Sequence, residues 1–105
     1  MDKVIRDGQV AVLYSPGYGA GWYSWNREMP ELLFEPNLVA MIEDGRPEHE
    51  LEAYMVTKYG EDGPYCGGLR GIGIAWVPVG TQFRVHEYDG SESIEIKEDM
   101  SWLTA

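Results

Sequence analysis

At 105 residues, the chain has the size of one domain and no room for a second core. It carries 18 acidic against 8 basic residues, a formal net charge of −10, and such a field opposes direct binding to nucleic acid or to an anionic membrane. A composition 44% hydrophobic and 25% charged excludes a disordered chain, and a single cysteine, Cys66, excludes an intrachain disulfide.

The first residues, Met1 to Asp7, hold no apolar stretch of signal-peptide length, and no later stretch approaches the roughly 20 apolar residues that cross a bilayer. A cytoplasmic protein that begins at its natural start and forms one domain over residues 1–105 is expected. Gln9 to Tyr14 predicts a buried strand, because Val10, Ala11, Val12 and Leu13 form a short apolar run closed by a turn signal. The most unusual segment follows, Ser15-Pro16-Gly17-Tyr18-Gly19-Ala20-Gly21-Trp22-Tyr23-Ser24-Trp25-Asn26. Alternating glycines hold neither helix nor strand, yet a flexible linker would not carry two tryptophans, so an ordered loop is predicted.

Two helices follow in the pattern. The first has Pro36 at a permitted N-terminal position, an apolar face of Leu38, Val39, Met41 and Ile42, and Gly45 as its stop. The second begins at Pro47, places Glu48 and Glu50 in its first turn, repeats Leu51, Tyr54, Met55 and Tyr59 at helical spacing, and ends at Gly60 with a left-handed cap. Residues Glu61 to Gly71 form a second glycine-rich loop. A β-meander is expected from there: Ile72, Ile74 and Trp76 alternate with Gly73, Ala75 and Val77, and Pro78 to Thr81 makes a turn. Phe83 and Val85 alternate with Arg84 and His86, Asp89-Gly90 is a hairpin signal, and Ile94 and Ile96 complete the last strand. Trp102 and Leu103 are expected to fold back as a terminal anchor. The predicted architecture is α+β, a mostly antiparallel sheet of about four strands with two helices packed on one face.

Enzyme signals are poor. His49 stands among Glu48, Glu50 and Glu52, a strand histidine such as His86 beside Glu87 is usually structural, and Cys66 has no activating neighbour. No catalytic residue, no metal site and no cofactor is therefore assigned. Ligand recognition is the stronger expectation. Tyr18, Trp22 and Trp25 offer ring faces to a base, backbone N–H groups at Gly19 and Gly21 converge on an anion, Asn26 reads a polar edge, and Arg70 and Arg84 clamp phosphates or carboxylates. The competing expectation is that the tryptophans plug the core of a tight loop and that Arg70 and Arg84 each answer one of the many nearby acids. The acids fall in two groups, Glu43, Asp44, Glu48, Glu50 and Glu52, and Glu87, Asp89, Glu92, Glu95, Glu98 and Asp99. Aligned on one face, they would imitate a phosphate backbone and occupy a basic protein.

Three stretches resemble a group of small tailed-phage proteins with no assigned reaction: Ser15 to Trp22 with Trp25-Asn26, Trp76-Val77-Pro78-Val79-Gly80-Thr81-Gln82-Phe83-Arg84, and Glu87-Tyr88-Asp89-Gly90-Ser91-Glu92. The resemblance implies an accessory role against host defence in the host cytoplasm. Two functions are compatible with it: a non-enzymatic sponge, assembled as a homo-oligomer, that sequesters a nucleotide-derived signal, or an acidic inhibitor, a possible DNA mimic, of a basic host protein. In the second case, charge reversal at Glu92, Glu95 and Glu98 would weaken binding.

Overall fold

The computed structural model describes residues 2–97. Its elements in chain order are β1 (Ile5–Arg6), β2 (Gln9–Tyr14), α1 (Pro36–Glu43), α2 (Glu48–Tyr59), β3 (Gly73–Pro78), β4 (Phe83–Tyr88) and β5 (Ser91–Ile96), with single 3-10 turns at Tyr23–Trp25, Pro30–Leu33 and Gly67–Leu69. The class is α+β with antiparallel pairing throughout the described strands. Both helices start where their prolines allow: Pro36 occupies the first turn of α1, and Pro47 is the residue before α2. Gly45 takes a positive φ of 74° after α1. Gly60 likewise has φ 82° after α2, but its ψ of 177° lies outside the left-handed helical cap expected there.

The single sheet expected from the sequence is divided in two. One sheet has the order β1-β2-β3 and the other holds β4 and β5 alone. Strand β3 pairs with β2, about sixty residues earlier, and not with its sequence neighbour β4; Val10 lies opposite Val77, Val12 opposite Ala75 and Leu13 opposite Ile74. The cause is the composition of β2, which is apolar on both faces and must be covered on both. Ala11 and Leu13 face one core with Leu38 and Val39 of α1 and Leu51 and Met55 of α2. Val12 faces a second core with Val77, Leu33 and Phe34, against which Phe83, Val85, Ile94 and Ile96 of the β4–β5 hairpin pack. The hairpin thus lies over the small-residue face of β3 as a separate layer. A strand continuing the first sheet would have left Val12 without that cover.

Strand β1 was not anticipated. Its turn into β2 is Asp7-Gly8, at φ 51° and 76°, the same pair of residues with nearly the same dihedrals as Asp89-Gly90 at 49° and 82°. Both are the two-residue hairpin turn that requires φ above zero twice. The terminal anchor expected at Trp102 and Leu103 lies outside the described residues.

Candidate functional site

The glycine-aromatic loop is ordered around one buried carboxylate. Glu92, 2% exposed, projects from β5 into the loop. Its Oε1 accepts the Ser15 backbone N–H at 2.9 Å, and its Oε2 accepts the N–H of Trp22 at 2.8 Å, the N–H of Ser24 at 2.9 Å and the Ser24 hydroxyl at 2.6 Å. Backbone donors therefore converge on an anion here, and the anion belongs to the protein itself. The strand is held in the same place by its own backbone: Glu92 N–H donates to the Ser15 carbonyl at 2.7 Å, and Gly19 N–H donates to the Asp89 carbonyl at 2.8 Å. Gly90 is required at this junction, since a Cβ there would overlap the backbone of Ala20.

Three of the expected ligand residues, Gly21, Trp22 and Asn26, are internal. Trp22 is fully buried in the core with Leu32 and Met55, and its indole N–H donates to the Leu32 carbonyl at 2.9 Å, so neither ring face is open to a ligand. Asn26, 3% exposed, ties the two glycine-rich segments together: its amide donates to the carbonyls of Trp22 and Tyr65, each at 2.9 Å, and its Oδ1 accepts the Tyr65 N–H at 2.8 Å. Gly21 lies against Ser24 and Trp25, while Gly19 has open space beside it.

The two expected arginines are at the surface, on different elements. Arg84 sits on the outer face of β4, where its Nε donates to Glu95 at 2.7 Å across the hairpin. Arg70 is exposed just after the Gly67–Leu69 turn. His49 and His86 are exposed as well, and Cys66 donates to the Pro64 carbonyl at 3.3 Å. Burial, with a smaller contribution from the Glu52 charge, pushes its thiol up from the ordinary value. Among the described residues no three His, Cys, Asp or Glu side chains form a potential metal site. A shallow depression of about 240 Å³ is lined by Arg6, Asp7, Gln9 and Trp76, none of them an expected ligand residue.

What the loop does expose is an aromatic surface. Tyr18 and Trp25 from the first loop, Tyr65 from the second and Tyr88 from the hairpin are the exposed aromatic side chains among the described residues. Trp25 stacks on Tyr65 with ring centroids 5.5 Å apart and planes 27° from parallel, and its indole N–H donates to Glu87 Oε2 at 2.9 Å. Tyr18 and Tyr88 each precede one member of the bonded Gly19–Asp89 pair. All four are thus carried by the backbone where the two loops and the β4–β5 turn meet, with Trp25 bonded to Glu87 on the inward side of the hairpin and Tyr88 on its outward side.

The acids do not share one face. Glu87 and Glu92 are cross-strand partners on the inward side of the hairpin, whereas Glu95 lies outward opposite Arg84. Glu92 is thus a buried structural group, not a surface charge available for reversal. In the earlier group Glu43 pairs with Arg6, and Asp44 and Glu50 pair with Arg46. Glu98 and Asp99 lie outside the described residues. No helix among those residues is long and apolar enough to cross a membrane. No family model matches the chain, and no curated protein or solved structure matches it.

Proposed function

We propose that the chain is a non-enzymatic binding protein whose aromatic end docks on a basic protein. The observation that carries this reading is the convergence of Tyr18, Trp25, Tyr65 and Tyr88 on one end of a chain with a net charge of −10. Tyrosine and tryptophan combine large apolar area with few rotatable bonds, and they concentrate at the centres of protein interfaces. Here the backbones that present them are fixed from inside by Glu92 and Asn26, so little ordering remains for the moment of binding. In this reading the two helices back one face of the three-stranded sheet, and the hairpin on the other side helps to shape the docking end. The resemblance to small phage proteins makes a host protein the natural partner.

Sequestration of a nucleotide-derived molecule is the second reading, supported by the exposure of Tyr18, Trp25 and Arg70. One comparison separates the two. Peptides selected from a display library on the immobilised chain should be rich in arginine and lysine, and a variant with Ser at positions 18, 25, 65 and 88 should select none of them. Equal selection by both proteins, or no selection by either, refutes the proposal. Micromolar retention of a cyclic or linear nucleotide in equilibrium dialysis, with no peptide selected, would put nucleotide capture in its place.

A further inference from the structure

Resting on that reading, we infer that the stacked Trp25–Tyr65 pair and Glu87 form a seat for a single arginine side chain of the basic partner. Three features converge on this chemistry. The first is the pair of rings, Trp25 43% and Tyr65 53% exposed, held against each other by their stack at a fixed geometry. A planar guanidinium stacks on aromatic faces, drawn by the negative ring quadrupole.

The second feature is the carboxylate. Glu87 uses Oε2 to hold the Trp25 indole N–H, whereas Oε1 takes part in none of the described hydrogen bonds, and no cation among the described residues pairs with the group. Residues 98–105 add no basic side chain. The acceptor is thus tied to the edge of the ring on which the guanidinium would lie.

The third feature is the charge opposite. Glu87 faces Glu92 across the hairpin, two acids directly paired, an arrangement that is unfavourable without a counter-charge. Two positions along, the same hairpin sets Arg84 against Glu95. Glu92 is saturated by donors from the loop, so an incoming cation finds Glu87 as the available acceptor. Lysine would gain the charge but not the stacking, which assigns the seat to arginine.

The test uses the full chain and two probes, an octa-arginine and an octa-lysine peptide, in a low-salt titration that follows the Trp25 indole N–H resonance, assigned with Trp25→Phe. Octa-arginine should shift that resonance and bind several-fold more tightly than octa-lysine. Trp25→Ala and Glu87→Gln should each weaken octa-arginine at least about tenfold. Glu87→Gln keeps an oxygen acceptor for the indole, and Val56→Ala, on the exposed side of α2 away from the aromatic end, should bind like the parent. Equal affinity for the two peptides, or octa-arginine binding untouched by both substitutions, overturns the arginine seat and leaves the basic-partner reading standing. Failure of both peptides to bind overturns the two together.

Discussion

Single side chains decide whether the glycine-aromatic loop is a loop at all. Glu92 concentrates four donors from Ser15, Trp22 and Ser24 on two oxygens, and a neutral amide of the same shape cannot replace it, because its NH2 would point a donor at donors. Glu92→Gln should therefore cost about 2–3 kcal/mol, read as a lowered urea midpoint with an unchanged slope. Period-two parity in the last strand places Glu92 on the same side as Ile94 and Ile96, the apolar side, and an acid there needs donors. Nothing in the sequence identifies the donors as N–H groups some seventy residues away. Burial of the loop tryptophans was one of the two expectations, and it holds for one of them: Trp22 meets the Leu32 carbonyl inside, while Trp25 stays exposed.

Between elements, a polar junction ties the start of α1 to the end of α2. Glu35 lies just before α1 and is 2% exposed. Its carboxylate accepts from Lys58 Nζ at 2.6 Å and from the Tyr54 hydroxyl at 2.7 Å, and it caps α1 by accepting the Asn37 N–H at 3.3 Å. Burial by itself pushes the carboxyl up. The hydrogen bonds from Lys58 and Tyr54, the Lys58 charge and the Asn37 N–H outweigh it and hold Glu35 below the ordinary carboxylate range. The unfolded carboxyl then takes up its proton first, so this junction stabilises fully above about pH 4.3 and loses its contribution as pH falls through the lower folded value. Lys58 is partly exposed, and solvent screening keeps the contribution modest. Lys58→Met should flatten the fall in urea midpoint between about pH 6 and about pH 3 relative to the parent. The helices themselves were legible, since Pro36, Pro47, Gly45 and Gly60 mark their ends. The junction was not, because Glu35 and Lys58 each look like ordinary surface charges in sequence.

Across the whole molecule, the organising fact is that β2 is covered on both faces and that one cover is a hairpin attached through a loop. The strands were legible from alternation and turn residues, but pairing was not: a meander pattern leaves open whether β3 extends toward β4 or turns back to β2. Gly90 and Gly8 make the attachment measurable. Both have positive φ, near 82° and 76°, yet a Cβ at Gly8 meets open space while one at Gly90 overlaps the Ala20 backbone. Gly8→Ala should cost only the strain of the conformation, about 1–2 kcal/mol. Gly90→Ala should cost more and should raise amide exchange in residues 83–96 ahead of β2 and β3, as the outer layer loosens from its seat. Similar exchange in both variants would show that the hairpin is not held through that junction.

The distance in sequence between Glu92 and the loop it holds also sets an order of events during synthesis. Residues 15–26 leave the peptidyl-transfer site some 66 residues before Glu92 is added, which at about 5–20 residues per second is a wait of roughly 3–13 s. Through that interval the Ser15, Trp22 and Ser24 backbone donors have no native acceptor, and β2 has no β3 to pair with until Gly73–Pro78 has been made. The nascent chain thus passes through a stage rich in exposed aromatic surface, a natural substrate for chaperones that bind growing polypeptides.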